Sequence, residues 1–367
     1  MKLSIERSTL LNAIKGMKRI AKRNIYTPIL SNALLIARDS RLHVNVTDRD
    51  IEISKSLVAD VECQGKITVS LRELYDIAKG LDKYAVLEME AVDTKLLLRS
   101  GGSMFSLDCL PVADFPFMSS GGPVEDFVIP ARELLRLINH TKFAINNRDN
   151  RYYLNGLFIH TVKSGDKNVL RAVATDGHRV ARVDTELAAG MGEIPGVIIP
   201  RATAVELSKS LAKIKGDVTV TLEGGTIIFE FDHTFIKSTL VDGVYPDYSR
   251  VIPSGNGNDK SLIVNAKTIS QAAKRVSGKK EEQIKLNISK GKIVISINNG
   301  VEVLEALEAG YDSDAIEASI NPRYLIENMD VIDGDVRFLF TGNPRDPVLI
   351  NGINDPSALY VLMPTRG

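Results

Sequence analysis

Phe105-Ser106-Leu107-Asp108-Cys109-Leu110-Pro111-Val112-Ala113-Asp114-Phe115-Pro116 is answered 130 residues later by Phe235-Ile236-Lys237-Ser238-Thr239-Leu240-Val241-Asp242-Gly243-Val244-Tyr245-Pro246. An aromatic residue, a leucine and an aromatic-proline pair stand at the same spacing in both. Two further echoes lie at nearly the same offset: Thr47-Asp48 with Thr175-Asp176, and Ile67-Thr68-Val69-Ser70 with Val197-Ile198-Ile199-Pro200. Three matches at offsets of 128–130 residues point to internal duplication. The last part of the chain follows the plan more loosely, with a short strand and a helix start at Leu262-Ile263-Val264-Asn265 and again at Ser319-Ile320-Asn321-Pro322. Structure-breaking runs at Ser119-Ser120-Gly121-Gly122 and across 253–259 fall where thirds would meet. The expected division is three similar domains, 1–121, 122–252 and 253–367, each within the usual domain size.

Each third holds two helix starts behind a short apolar strand. The other four approaches are Leu3-Ser4-Ile5, Ile67 to Ser70, Phe127-Val128-Ile129-Pro130 and Val197 to Pro200. Ser70 with Glu73 reads as a capping box, and Asn265 and Asn321 as N-caps whose side chains accept from free backbone N–H groups. Proline at these starts suits a first turn, where its missing N–H costs nothing. Core-facing stripes are predicted at Leu10, Ile14 and Met17, at Leu134, Leu137 and Ile138, and at Leu207, Leu211 and Ile214. Alternating segments such as Leu42–Val46, Val218–Leu222 and Lys292–Ile297 read as strands. The fold class is therefore α+β: three two-helix units with mostly antiparallel strands.

With 367 residues, 44% of them hydrophobic and 25% charged, the chain is an ordinary globular protein rather than a disordered one. Two cysteines, Cys63 and Cys109, exclude a disulfide framework and fit a reducing compartment. The absence of a signal-like start and of a long apolar run makes a cytoplasmic location, away from membranes, the expectation. Lys and Arg number 46 and so do Asp and Glu, which excludes a uniformly basic nucleic-acid binder. Yet the six helical segments carry 23 basic against 8 acidic residues, an excess of +15 that the remainder balances. A segregated basic face attracts phosphates, although solvated lysine-rich helix faces are also common in proteins that bind none.

No catalytic signature accompanies this pattern. His43, His140, His160, His178 and His233 show no metal-ligand spacing, and phosphate-binding loops, dinucleotide fingerprints and nucleophile elbows are missing. Thr175-Asp176-Gly177-His178-Arg179 is the one segment resembling a reactive site, and Asp-Gly suits a tight turn better. No catalytic residue, metal or cofactor is expected. Arg148, Arg151, Tyr152 and Tyr153 form a basic-aromatic cluster that fits either base stacking against phosphate contacts or a strand with tyrosines in a core.

The sequences Arg151-Tyr152-Tyr153-Leu154-Asn155-Gly156, Ala174-Thr175-Asp176-Gly177-His178-Arg179, Leu240-Val241-Asp242-Gly243 with Tyr245-Pro246-Asp247-Tyr248, and Tyr360-Val361-Leu362-Met363-Pro364 resemble the bacterial DNA polymerase III beta subunits, the replicative sliding clamps. Thr27-Pro28-Ile29-Leu30-Ser31-Asn32 and the Phe105 segment belong to the same pattern, so the resemblance spans the chain. It implies a ring-shaped head-to-tail homodimer with twelve helices around a hole. Helices about 10 Å wide would leave roughly 28 Å of clearance, enough for duplex DNA. The implied function is a processivity factor that encircles duplex DNA without sequence preference and has no active site.

By the same resemblance, DNA contacts are expected at Arg23, Arg148, Tyr152 and Tyr153, with Arg201 added; Asn24 holds a position that is usually basic. A peptide groove is implied at Leu154, Thr175, Gly177, His178, Arg179, Val180, Pro246, Arg250, Val251, Asn321, Tyr324, Pro347, Met363, Pro364 and Arg366. It would receive short motifs of the replicative polymerase alpha subunit, the clamp loader, other polymerases and repair proteins. Phe105 and Leu107 match apolar subunit-interface positions, while Gly102 and Met104 replace residues that are commonly basic. Two other readings stay open from the residues themselves: a hydrolase or transferase centred on His178, and a repeat scaffold that does not touch DNA.

Overall fold

The structure is a computed structural model that describes residues 1–22, 25–119, 121–122, 124–147, 149–187, 192–253, 259–278, 282–298 and 302–365. The first third contains β1 (Lys2–Glu6), α1 (Arg7–Met17), β2 (Asn32–Arg38), β3 (Arg41–Thr47), β4 (Ile51–Val58), β5 (Asp60–Cys63), β6 (Gly65–Ser70), α2 (Leu71–Gly80), β7 (Val86–Val92), β8 (Lys95–Ser100) and β9 (Ser103–Asp108). The second contains β10 (Val124–Pro130), α3 (Ala131–Asn139), β11 (Gly156–Ser164), β12 (Lys167–Thr175), β13 (Arg179–Glu186), β14 (Val197–Pro200), α4 (Arg201–Ser210), β15 (Asp217–Glu223), β16 (Thr226–Phe231) and β17 (Thr234–Thr239). The third contains β18 (Lys260–Asn265), α5 (Ala266–Ser277), β19 (Ile284–Ser289), β20 (Lys292–Asn298), β21 (Glu302–Glu308), β22 (Ile316–Ile320), α6 (Pro322–Met329), β23 (Asp335–Phe340), β24 (Val348–Gly352) and β25 (Ala358–Leu362). Among the described residues, no helix is long and apolar enough to cross a membrane.

Each third builds two four-stranded strips. The first gives β1-β7-β8-β9, with β5 added beside β1, and β6-β2-β3-β4. The second gives β10-β15-β16-β17 and β14-β11-β12-β13, and the third β18-β23-β24-β25 and β22-β19-β20-β21. Neighbouring thirds share sheets. β17 pairs antiparallel with β4, Phe235 opposite Ser54, to make one eight-stranded sheet. β25 pairs antiparallel with β13, Tyr360 opposite Ala181, to make the other. The chain accordingly divides into two compact units, 1–132 with 209–240, and 133–208 with 241–367. The middle third contributes one strip to each.

All six expected strand-then-helix starts are present. Ser70 Oγ accepts from Glu73 N at 3.3 Å, Asn265 Oδ1 from Thr268 N at 3.2 Å and Asn321 Oδ1 from Arg323 N at 2.9 Å. Pro322 stands in the first turn of α6, whereas Pro130 and Pro200 instead close edge strands, where a missing N–H is also tolerated. Leu10, Ile14 and Met17 of α1 are fully buried, as are Leu134, Leu137 and Ile138; each such side chain contributes about 1.5–3 kcal/mol. The stripe through Leu207 and Leu211 stops short of Ile214, because α4 ends at Ser210 and tightens into a 3-10 turn over Leu211–Lys213.

The duplication reaches single hydrogen bonds. Thr47 Oγ1 accepts from Arg49 N at 3.0 Å, and Asp48 Oδ1 from Asp50 N and Ile51 N at 3.1 and 3.0 Å. At the twin turn, Thr175 Oγ1 accepts from Gly177 N at 3.1 Å, and Asp176 Oδ1 from His178 N and Arg179 N at 3.0 and 3.2 Å. Such side-chain-to-backbone bonds close the turn between two strands.

Candidate functional site

The turn from β12 to β13 organises the site. Gly177 has φ +88°, a left-handed conformation that favours glycine, and an added Cβ would lie 2.7 Å from Arg151 Nη1. Both backbone N–H groups after the turn point at the Asp176 carboxylate, whose other oxygen meets Arg179 Nε at 3.0 Å. Asp176 thus holds the backbone and Arg179, and does not orient an imidazole.

Arg179 is 4% exposed and every face of it is used. Nη2 donates to Phe143 O at 2.6 Å, and Nη1 forms an ion pair with Glu327 Oε2 at 2.6 Å whose angles are not those of a hydrogen bond. The guanidinium lies over the Tyr324 ring at 4.4 Å and the Phe143 ring at 5.1 Å. His178 is exposed and lies nearly parallel to Tyr324, ring centres 6.0 Å apart. The C-terminal segment is tied to both elements: Met363 N donates to His178 O at 2.9 Å and Thr365 N to Ser319 O at 2.8 Å.

Beneath this rim lies an apolar floor. Leu154, Val173, Val180, Ile198, Tyr245, Leu349, Leu359 and Val361 form one buried cluster, flanked by Tyr153, Tyr248 and Ile252. Pro246 is exposed beside Tyr245, and Arg250 and Val251 project from a 3-10 turn over Tyr248–Val251. Of the expected groove residues, Leu154, Thr175, Gly177, His178, Arg179, Val180, Tyr324 and Met363 are linked through these contacts. Asn321 caps α6, and Pro347 and Pro364 are half-buried on segments flanking β24 and β25. Arg366 lies outside the described residues. Phe143 and Glu327, which complete the Arg179 setting, were not among the expected residues; nothing in their spacing marks them.

Tyr152 and Tyr153 belong to a 3-10 segment, Asp149–Leu154, rather than to a strand. Tyr152 is 57% exposed and stands edge-on to half-buried Tyr153 at 5.7 Å. Arg151 donates to Asp176 O at 3.1 Å, joining this segment to the turn. Arg201 is half-buried, its Nη1 donating to Ile145 O at 2.9 Å. Arg23 and Arg148 lie outside the described residues.

The helical charge is less free than its count. Arg136 binds Glu133, Asp355, Ser357 and the Asp184 carbonyl; Lys274 pairs with Asp330, Arg275 with Glu305 and Arg323 with Glu327. In the unit of 1–132 and 209–240, Lys15, Lys22, Lys79, Arg132, Lys209, Lys213 and Lys215 are exposed and make no ion pair with the described residues. These side chains are among those open to an anion. Phe105 is half-buried and Leu107 buried on β9, which is the open edge of its sheet. Burial pushes the Cys109 thiol up to about 11, which leaves it protonated and unreactive.

Three family models match in succession: the DNA polymerase III beta subunit N-terminal domain over residues 1–119, the central domain over 128–247 and the C-terminal domain over 249–366. The beta sliding clamp of Caulobacter vibrioides is 38% identical over 373 residues, and that of Escherichia coli K12 is 32% identical, with all of both chains covered in each case. The DnaN sliding clamp of Bartonella birtlesii bound to griselimycin superposes with a TM-score of 0.94 at 37% identity over the whole of both chains. That of Pseudomonas aeruginosa bound to griselimycin gives 0.93 at 33%, again over the whole of both chains. The chain belongs to the DNA polymerase III beta subunit family, the beta sliding clamps.

Proposed function

We propose that two copies of this chain close head to tail into a ring around duplex DNA. As a sliding clamp the protein confers processivity on a polymerase and is not itself an enzyme. The ring rests on one observation. Of the six strips, four end in a seam, β17 on β4 and β25 on β13. β9 and β21, the counterparts of those same two strand types in the other two strips, pair on that side with no described strand. An unpaired edge exposes a row of backbone donors and acceptors. Both edges also expose apolar side chains, Met104 at 69%, and Val303 and Leu304 at 39% and 59%. A second copy would supply β21 to β9 and β9 to β21, two equal contacts that close the ring. Phe105 would meet the partner strand, with Leu107 bracing β9 from its own core.

The repeating units are thirds bounded near residues 121 and 252. Arg23, Arg148, Tyr152, Tyr153 and Arg201, with the exposed lysines, serve as contacts to phosphates, which need carry no sequence information. The floor and rim around Arg179 form the groove for short linear peptides of the polymerase alpha subunit, the clamp loader, other polymerases and repair proteins. A mostly apolar groove with a few placed polar groups suits that role. Griselimycin, which two relatives bind, is proposed here to occupy this groove and serves as its probe. The working location is the cytoplasm, where bacterial chromosomal DNA is replicated.

Sedimentation tests the ring. The wild type should run at twice the 40.2 kDa chain mass. Met104→Asp combined with Leu304→Asp, which places like charges on both edges, should run as a folded monomer. A wild type that sediments at the single-chain mass would refute the proposal.

A further inference from the structure

Tyr248, at the head of the exposed Tyr248–Val251 turn, is the side chain that fastens this turn to the sheet below. Its hydroxyl lies 2.9 Å from His160 Nε2 on β11 and 3.4 Å from Arg171 Nη1 on β12. Arg171 is in turn gripped by Asp184 on β13 through two parallel bonds of 2.7 Å. One assignment of the protons gives every one of these polar hydrogens an acceptor. Arg171 has no acceptor and can only donate, so the Tyr248 oxygen accepts from it and the Tyr248 hydrogen goes to His160 Nε2. That direction requires a neutral imidazole. His160 is also stacked on Phe158 at 4.7 Å, and Phe158 lies flat on Tyr245 at 4.7 Å, so the histidine side chain continues directly into the groove floor.

We propose that Asp184, Arg171, Tyr248 and His160 form a positioning relay that holds Arg250 and Val251 in place for the partner peptide. The relay deepens the groove assignment above and rests on it. Tyr248 acts through its turn. Asp247 fixes the other side of that turn, accepting from Ser249 N at 3.2 Å and Arg250 Nε at 3.0 Å. The polar relay therefore adds to the apolar packing of Tyr248 and Ile252 in tying the turn to the strands beneath it.

The arrangement makes the groove sensitive to acid. The charged groups facing His160 are Arg171 and Asp184, with Arg182 on β13 close to Arg171, Asp184 and Tyr248. Burial, and then the Arg171 charge, hold His160 below its ordinary range, so it is neutral at pH 8. Once protonated, Nε2 becomes a donor, the Tyr248 hydrogen loses its acceptor and two cations face each other. Affinity should stay flat at alkaline pH and fall as the pH drops through the His160 transition.

Griselimycin binding to the full-length protein, measured calorimetrically between pH 8 and 5.5, tests the relay. Tyr248→Phe keeps the ring and removes the hydroxyl; it should bind about fivefold more weakly at pH 8, the scale of one hydrogen bond. His160→Gln retains an acceptor near the Nε2 position; it should bind more tightly than Tyr248→Phe at pH 8 and lose the wild-type fall at acid pH. His178 is present in all three proteins, so the difference between profiles reports His160. A Tyr248→Phe protein with wild-type affinity and an unchanged pH profile would overturn the relay. Met363→Ala serves as the control on the groove itself. If it leaves griselimycin binding untouched at every pH, the groove assignment fails, and the relay with it; if it abolishes binding, failure of the other variants counts against the relay alone.

Discussion

The turns at 47–51 and 175–179 began as copies and now do different work. Both close through a threonine hydroxyl and an aspartate carboxylate that accept from the same backbone N–H positions. Both put a residue with positive φ after the aspartate, Arg49 at +81° and Gly177 at +88°. They part at the next positions. After Asp48 come exposed Asp50 and buried Ile51, which simply starts β4. After Asp176 come exposed His178 and buried Arg179, whose guanidinium binds a carbonyl, two carboxylates and two aromatic faces. The backbone solution was kept, and two side chains turned one copy into the organising point of the proposed groove. Structural repeats therefore mark where a site can arise, while the departures between repeats mark where it did.

Removing the departure should have the largest effect. Arg179→Ala leaves Asp176 without its cation and Glu327 with Arg323 alone, and should cost about 3–5 kcal/mol in chemical denaturation, with griselimycin binding lost. Arg49→Ala, exposed at the sister turn, should stay within about 0.5 kcal/mol of wild type. Equal losses from the two would erase the distinction between the turns.

Exchanging the turn glycine sharpens it next. Gly177→Ala should cost about 1–2 kcal/mol from its left-handed backbone, besides displacing Arg151. Arg49→Gly relieves the same strain at the first turn and should stabilise by about 0.5 kcal/mol, part of the relief being offset by glycine's greater entropy. Thermal melts of the two variants should shift in opposite directions.

The smallest effect is a pH dependence. Phe143, which floors Arg179, packs against Tyr360 at 6.1 Å, and His140 Nδ1 lies 3.0 Å from the Tyr360 hydroxyl. Burial holds His140 below its ordinary value of 6.5, more than the nearby Asp355 can restore. The unfolded chain therefore takes up this proton first. The stability His140 contributes is present above pH 6.5 and is lost as the pH falls through its lower folded value. Melting temperatures below pH 6.5 should decline less steeply in His140→Gln than in wild type. His43 and His160 are held low as well, so a residual slope remains. Identical slopes would mean that His140 is not coupled to this floor.

Much of the fold was legible because its signals are local. A cap and the backbone N–H that donates to it lie two or three residues apart, as at Ser70, Asn265 and Asn321, and a helix stripe repeats every three or four. The tandem repeat at a fixed offset was legible as well. Ile214 was misread because periodicity continued past the point where α4 tightens into its 3-10 turn. Tyr152 and Tyr153 could not be placed on a strand or off it, since aromatic residues suit both. The groove was reached through resemblance, and its internal logic was not legible at all. Arg179 takes Phe143 from 36 residues upstream and Glu327 from a different third of the chain. The Tyr248–His160 pair spans 88 residues. Such pairings are fixed by how distant segments pack together, and no local spacing records that.

Retention on DNA of two topologies distinguishes a closed ring from ordinary surface binding. The protein is loaded by its clamp loader onto nicked circular DNA, and the circle is then cut. Stable retention on the circle is expected, with rapid loss once ends are available, because a closed ring holds DNA by enclosure rather than by affinity. Equal retention on circular and linear DNA would contradict enclosure.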